Sequence, residues 1–137
     1  MRAVFSALSD EKMTQGASTI TQQLLKNQVF GGGNEKSFFG KVSRKIQEQS
    51  LAIKLESTID KKKILEYYLN TINLGQNTMG VETASKRYFG KSVSKLTVSE
   101  AAVLAGITQN PTEYNPITEQ QNNEAKRKII LKNMLDQ

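Results

Sequence analysis

A run of polar residues near the start of the chain, QGASTITQQLLKN at residues 15–27, concentrates hydrogen-bonding side chains. Three hydroxyls, two amides and a lysine fall within nine residues. These side chains are Ser18, Thr19, Thr21, Gln22, Gln23 and Lys26. Hydroxyls and amides both donate and accept hydrogen bonds, and the start of a helix attracts anions. The run therefore predicts a site for an oxygen-rich ligand at a helix start, beside a cation.

A second cluster, RKIQE at residues 44–48, combines charges of both signs. On a helix Arg44 and Glu48 share a face, with Lys45 beside them. The ordinary interpretation is an exposed ion pair, which stabilises a helix by only about 0.3–0.5 kcal/mol. Taken alone, the cluster favours that interpretation.

A third cluster, KKKILEYYLN at residues 61–70, begins with three lysines. Lysines in the first turn lie at the positive end of the helix dipole, which is unfavourable unless they face an anion. The alternative is an amphipathic helix whose basic first turn is offset by Glu66.

The composition limits the chemistry available to these clusters. The 137 residues include no cysteine and no histidine, so thiolate chemistry and a Ser-His-Asp triad are excluded. Any acid–base step would depend on carboxylates, lysines or tyrosines. The net charge of +6 favours an anionic partner, although a basic surface covered by solvated lysines is equally compatible.

The elements that position the clusters are predicted to be α-helical, because strand-like alternation is scarce and proline is confined to Pro111 and Pro116. Helices are expected at residues 18–29, 41–58, 61–70, 81–89, 97–107 and 119–135, after the end of a helix at 2–8 and a turn at 10–16. We expect Leu24, Leu25 and Val29 to face inward. Gly90 is expected to end the fourth of these helices, and Thr97-x-x-Glu100 predicts a capping box.

A glycine-rich loop, FGGGNEKSFFG, is predicted at residues 30–40. Its three phenylalanines, Phe30, Phe38 and Phe39, are unusual for a solvated loop. Two interpretations remain open: the rings are buried in the core, or they contact a membrane or lipid.

The order of the motifs is more specific than any one of them. GASTITQQ, RKxxE, KxxILExYLN, YFGK and EAAVLAGxxxxPxxYNP follow each other along essentially the whole chain. This series resembles the family 51 glycosyltransferases, the peptidoglycan polymerase domains of class A penicillin-binding proteins and monofunctional transglycosylases. The resemblance implies an all-α, lysozyme-like transglycosylase fold. It also implies polymerisation of lipid II into glycan strands with inversion at the anomeric carbon and release of undecaprenyl diphosphate.

The resemblance also assigns roles to individual residues. Glu48 matches a catalytic glutamate that acts electrostatically at the diphosphate or at a bound metal. Positions that line the donor cleft or lie near the diphosphate are Ser18, Thr19, Gln22, Gln23, Lys26, Arg44 and Lys45. Positions in a motif that supports the cleft are Lys61, Glu66 and Asn70. A divalent cation, Mg²⁺ or Mn²⁺, at the diphosphate is left open.

One family motif, EDxxFxxHxG, has no counterpart in the sequence. In the family it carries the glutamate thought to be the general base, and it would fall before Met1. We therefore interpret residues 1–137 as a single, N-terminally truncated glycosyltransferase domain with an incomplete fold. Because loss of a general base costs ~10²–10⁴-fold in rate, we expect this chain to be inactive or weakly active.

The resemblance implies lipid II, the nascent glycan strand and the bacterial membrane surface as partners, and no nucleic acid. It places the full-length, anchored protein on the extracytoplasmic face of the cytoplasmic membrane. Self-association of two copies to complete the core is left open. The main alternative function is a fragment that binds lipid II or its diphosphate without turnover.

Two further alternatives are weaker. A lysozyme-like hydrolase needs two flanking carboxylates, and only Glu48 has such a counterpart. A basic nucleic-acid binder lacks a recognisable nucleic-acid motif.

Overall fold

The structure, a computed structural model, describes residues 18–33 and 35–136 and is all-α over these ranges. The helices are α1 (Ile20–Gln28), α2 (Phe38–Thr58), α3 (Lys61–Thr71), α4 (Val81–Phe89), α5 (Val98–Ile107) and α6 (Gln120–Leu135), with a 3₁₀ turn at Val93–Lys95. Extended pairing in the described part is confined to an isolated bridge between Asn73 and Met79. The all-α prediction is confirmed. The helix end expected at 2–8 and the turn expected at 10–16 lie outside the described residues.

The chain divides into two compact units with a boundary in the first turn of α3, between Lys61 and Lys62. The first unit contains α1 and α2, and the second contains most of α3 and all later elements. The prediction that residues 1–137 form a single partial domain stays a prediction.

Two helices of the first unit begin at side-chain caps. The Thr19 hydroxyl accepts a hydrogen bond from the backbone N–H of Gln22 and starts α1. Ser37 caps α2 in the same way through Gly40, so α2 begins at Phe38 and not at the expected residue 41. The start of α2 was predicted too late because Phe38 and Phe39 were assigned to the loop that precedes the helix.

The buried side of α1 consists of Thr21, Leu24 and Leu25. The Thr21 hydroxyl donates to Glu56 Oε1 at 2.5 Å and thereby links α1 to the far end of α2. The prediction for Val29 was wrong, because its side chain is 59% exposed. The helix ends at Gln28, and Val29 serves as its C-cap beyond the buried turns.

In the second unit the predicted helix ends are confirmed. Gly90 ends α4 with a left-handed φ of 68°, and Thr97 and Glu100 form both bonds of a capping box at the start of α5. Helices α5 and α6 pack closely, and the buried Asn123 donates to the carbonyl of Tyr114 at 2.7 Å.

Candidate active site

The centre of the first unit is a buried carboxylate held by two cations. Glu48 is 0% exposed, and its Oε1 accepts a hydrogen bond from Arg44 Nη1. Its Oε2 accepts from Lys45 Nζ at 3.0 Å. The three residues lie on one stretch of α2, so the helix itself fixes their spacing. The interpretation of RKIQE as an exposed ion pair is wrong, because Glu48 has no contact with solvent.

Lys45 connects this pair to the start of α1. Its Nζ also donates to Ser18 Oγ at 2.5 Å. Gln23 donates from Nε2 to the backbone carbonyl of Ser18 at 3.3 Å, which orders the segment before the helix. The structure therefore brings the predicted residues Ser18 and Lys45 together across the two helices of the unit.

The Lys26 side chain also lies beside Arg44, at the backbone of Gly33. Gly33 has a φ of +78°, and a β-carbon added there would lie 2.8 Å from Arg44 Cζ and 2.9 Å from Lys26 Cε. Both cationic side chains therefore converge on the backbone of Gly33. The prediction that Lys26 lies beside a polar site is consistent with this geometry, and the loop backbone packs directly on the cations.

Thr19 and Gln22 are related less directly to the charged cluster. The hydroxyl of Thr19 caps α1, which is a local structural role, and Gln22 lies half-buried in the first turn of that helix. Their predicted role in lining a donor cleft stays a prediction.

A residue that the sequence analysis did not identify, Glu35, completes the cluster. Its Oε2 accepts from Arg44 Nε at 2.6 Å. A hydrogen bond from its own backbone N–H and the bond from Arg44 lower the pKa of its carboxyl, with a smaller contribution from Lys26. Arg44 responds in the opposite sense: burial lowers its pKa, but the hydrogen bonds to Glu35 and Glu48 outweigh burial and raise it.

The charges in this cluster determine what it can bind. Lys26, Arg44 and Lys45 supply three positive charges, and Glu35 and Glu48 supply two negative ones. Arg44 Nε and Nη1 are occupied by the two carboxylates. A cluster with a net positive charge and partly buried donors suits an anion with several oxygens, such as a phosphate group.

The described residues do not fit a divalent cation held by the protein. No group of three acidic, histidine or cysteine side chains comes together within the described ranges. Both oxygens of Glu48 are bonded to cations, and Mg²⁺ prefers oxygen ligands that are free to coordinate. The Mg²⁺ or Mn²⁺ that the sequence left open at the diphosphate is not tested by this lining, and no chemical step is assigned to it.

The third predicted cluster lies on α3. Lys61, Glu66 and Asn70 are all exposed, and Glu66 forms an ion pair with Lys63 at 2.9 Å. This local pair fits the interpretation in which Glu66 offsets the basic first turn. The predicted role of the motif in supporting a cleft stays a prediction.

A separate concavity in the second unit has different chemistry. Its volume is about 440 Å³, and its lining includes Asn73, Asn77 and Asn115 but no charged side chain. This lining contains none of the site residues predicted from the sequence, so the charged cluster of the first unit is the better candidate for the active site.

Comparison with known proteins gives the decisive observation. A family model described as transglycosylase matches residues 1–135. The chain belongs to the transglycosylase family. This result confirms the predicted relationship to family 51, the peptidoglycan glycosyltransferases, and it covers every described residue of the charged cluster.

Relatives of this transglycosylase chain include penicillin-binding protein 1A of Haemophilus influenzae, 44% identical over 136 residues, and that of Vibrio cholerae, also 44% identical. Penicillin-binding protein 1A of Aquifex aeolicus is 46% identical over 126 residues. The matches cover 99%, 99% and 92% of this chain but only 15–16% of the relatives. The chain thus corresponds to a small part of much longer proteins.

Within residues 18–33 and 35–136, no helix is both long and apolar enough to cross a bilayer.

Proposed function

We propose that this chain is part of a peptidoglycan glycosyltransferase that polymerises lipid II, and that the charged cluster binds the diphosphate of the glycan donor. The observation that carries the proposal is the convergence of Lys26 and Arg44 on the backbone of Gly33, with Arg44 and Lys45 both held by the buried Glu48. Family membership supports the reaction class.

The cluster fits the electrostatics of the proposed reaction. When the bond between the anomeric carbon and the diphosphate breaks, negative charge accumulates on the leaving oxygen. Cations already held in place stabilise that charge without having to reorganise. In this proposal Lys26 and Arg44 contact the diphosphate, and inversion at carbon follows from attack by the acceptor hydroxyl on the opposite face.

Glu48 has a positioning role in this proposal. Both of its oxygens are engaged by cations, so neither is available to accept a proton from an acceptor sugar. It holds Arg44 and Lys45 at a fixed separation and limits their mutual repulsion. Its assignment as a catalytic residue stays a prediction.

The general base of the reaction has no candidate in the cluster, because both nearby carboxylates are ion-paired. We therefore expect polymerisation by this chain to be absent or ~10²–10⁴-fold slower than by a protein that carries the base. Incubation with labelled lipid II, followed by electrophoresis of the glycan products, tests this expectation. Rapid formation of long strands by the isolated chain would refute it.

A second candidate, binding without turnover, is favoured by the ion pairing of both carboxylates in the described cluster, Glu35 and Glu48. It predicts that the chain binds lipid II, that Lys26→Ala weakens this binding, and that no polymer forms. Polymer formation would exclude it.

Exposed apolar side chains support the proposed contact with a membrane surface. At about 100° per residue, Phe38, Val42, Ile46 and Ile53 fall within a sector of about 80° on α2. All four are exposed, and the neighbouring Phe39 is 84% exposed. Burial in the core is therefore wrong for Phe38 and Phe39, whereas Phe30, the third ring of the loop, is half-buried. A basic chain with an apolar stripe fits an anionic lipid surface, which would also present the lipid-linked substrate.

Vesicle binding tests the membrane contact. Phe39→Ser should weaken binding to vesicles containing anionic lipid about tenfold, since burial of one large apolar side chain contributes roughly 1.5 kcal/mol or more. Leu135→Ser is the matched control, because Leu135 is 86% exposed near the C-terminal end of α6. Equal losses in the two variants would contradict the assignment. This contact corresponds to the extracytoplasmic face of the cytoplasmic membrane, where lipid II polymerisation is proposed to occur.

A further inference from the structure

The two carboxylates bound to Arg44 differ in how firmly they are held. Glu48 is fully buried and is also bonded to Lys45. Glu35 belongs to the loop between α1 and α2, and its side chain is 30% exposed. Arg44 itself is only 14% exposed. Glu35 is thus the partner that can leave Arg44 without burying an unpaired charge.

The Glu35 carboxylate lies beside the cations that are proposed to bind the diphosphate. Its carboxylate bonds to Arg44 Nε and lies near enough to Lys26 to interact with it electrostatically. A carboxylate and a phosphate present similar oxygens to a guanidinium group. An incoming anion that bonds to Arg44 Nε must therefore take the place of Glu35.

We propose that Glu35 is an internal counter-anion that a diphosphate must displace, and that it thereby sets the affinity of this site for its ligand. The inference rests on the proposed function, because it takes the Lys26–Arg44 cluster as the diphosphate site. The displaced carboxylate would move to solvent, and its return to Arg44 would assist release of the diphosphate product.

The expected consequences follow from the charges. Every anion that displaces Glu35 loses the free energy of the Glu35–Arg44 ion pair. An anion that makes only one contact with the site does not recover this loss and fails to bind. A diphosphate gains contacts with Lys26 as well as Arg44, and these offset the penalty. Neutralising Glu35 should remove the penalty and tighten binding of any phosphate ligand.

The loop backbone supports this arrangement. Gly33 packs on the ends of Lys26 and Arg44 so closely that a β-carbon would overlap both side chains. A glycine at this position lets the loop that carries Glu35 approach the two cationic side chains.

The test is calorimetric titration with inorganic pyrophosphate, comparing the wild-type chain with Glu35→Gln and Glu35→Ala. Both variants should bind pyrophosphate about fivefold more tightly, the fold-change expected for loss of one partly exposed ion pair. The matched control is Glu124→Gln, which removes the same charge from an exposed ion pair with Lys128 in the second unit. The control should bind within twofold of wild type.

A double-mutant cycle separates competition from a general charge effect. If Glu35 acts through Arg44, the gain caused by Glu35→Gln should largely disappear in an Arg44→Gln background. Thermal unfolding of each variant checks that the fold is retained. If Arg44→Gln does not fold, the comparison of Glu35→Gln with Glu124→Gln still tests the inference.

The possible results have distinct meanings. Tighter binding in the Glu35 variants alone supports the inference. Unchanged or weaker binding in those variants overturns it and leaves the diphosphate site intact, provided that Lys26→Ala still weakens wild-type binding. If neither wild type nor the Glu35 variants bind pyrophosphate, both the inference and the proposed diphosphate site are refuted.

Discussion

Replacement of Glu48 by glutamine tests how the charged cluster is held together. The substitution preserves the shape of the side chain and removes its charge, so it creates no cavity. One amide oxygen can still accept from either Arg44 or Lys45, but the amide N–H₂ group then faces the other cation. The variant therefore replaces one charge-assisted hydrogen bond by an unfavourable donor–donor contact.

The expected loss of folding free energy follows from the burial of Glu48. Removing one partner of a buried ion pair costs about 3–5 kcal/mol, because the other charge is left uncompensated. Here Lys45 is 42% exposed and can turn toward water, while Arg44 keeps its bond to Glu35. We therefore expect the lower end, about 3 kcal/mol, which corresponds to roughly a 100-fold change in the folding equilibrium.

Chemical denaturation followed by circular dichroism measures this loss. Glu124→Gln is the control, since its carboxylate is 53% exposed and its ion pair should contribute less than about 0.5 kcal/mol. If Glu48→Gln changes the free energy of unfolding by no more than the control does, the buried carboxylate does not organise the cluster and the reasoning fails.

Two further predictions concern the second unit. Gly80→Ala should destabilise the chain by about 3 kcal/mol or more, because a β-carbon there would lie 2.4 Å from the carbonyl oxygen of Asn70. Gly90 has a similar φ but no atom within 4 Å of an added β-carbon, so Gly90→Ala should cost about 1 kcal/mol. Equal unfolding midpoints of the two variants in denaturant would contradict this prediction. Hydrogen bonds from Lys91 and then from Thr97 lower the pKa of Glu100 from 4.5 to about 2, so its contribution is fully present above pH 4.5 and is lost as the pH falls toward 2. Glu100→Gln should therefore flatten the dependence of stability on pH in this window, and an unchanged slope would refute the assignment.

The helices were predictable because their signals are local. The capping box at Thr97 and Glu100 and the glycine that ends α4 depend on a few neighbouring residues, and both were confirmed. Val29 and the start of α2 were predicted wrongly, because apolar character alone does not show where a helix stops or which cap begins it. The 3₁₀ turn at Val93–Lys95 was not predicted, since such short turns carry no periodic pattern.

The candidate site was only partly predictable. The spacing of Arg44 and Glu48 predicted their pairing, but burial of Glu48 depends on tertiary packing that helical spacing does not encode. Glu35 was missed because its bond to Arg44 joins a loop to a helix without any sequence periodicity. The bond from Thr21 to Glu56 was missed for the same reason, since 35 positions separate the partners.

Binding of lipid II in lipid nanodiscs tests the central claim most directly, with wild type, Lys26→Ala and Lys128→Ala compared at one salt concentration. The proposed diphosphate site predicts that Lys26→Ala weakens binding about tenfold or more, the loss expected for one charge-assisted contact, and that Lys128→Ala stays within twofold of wild type. Equal weakening by the two variants would show that binding reflects net charge, and it would contradict the assignment of the cluster as the diphosphate site.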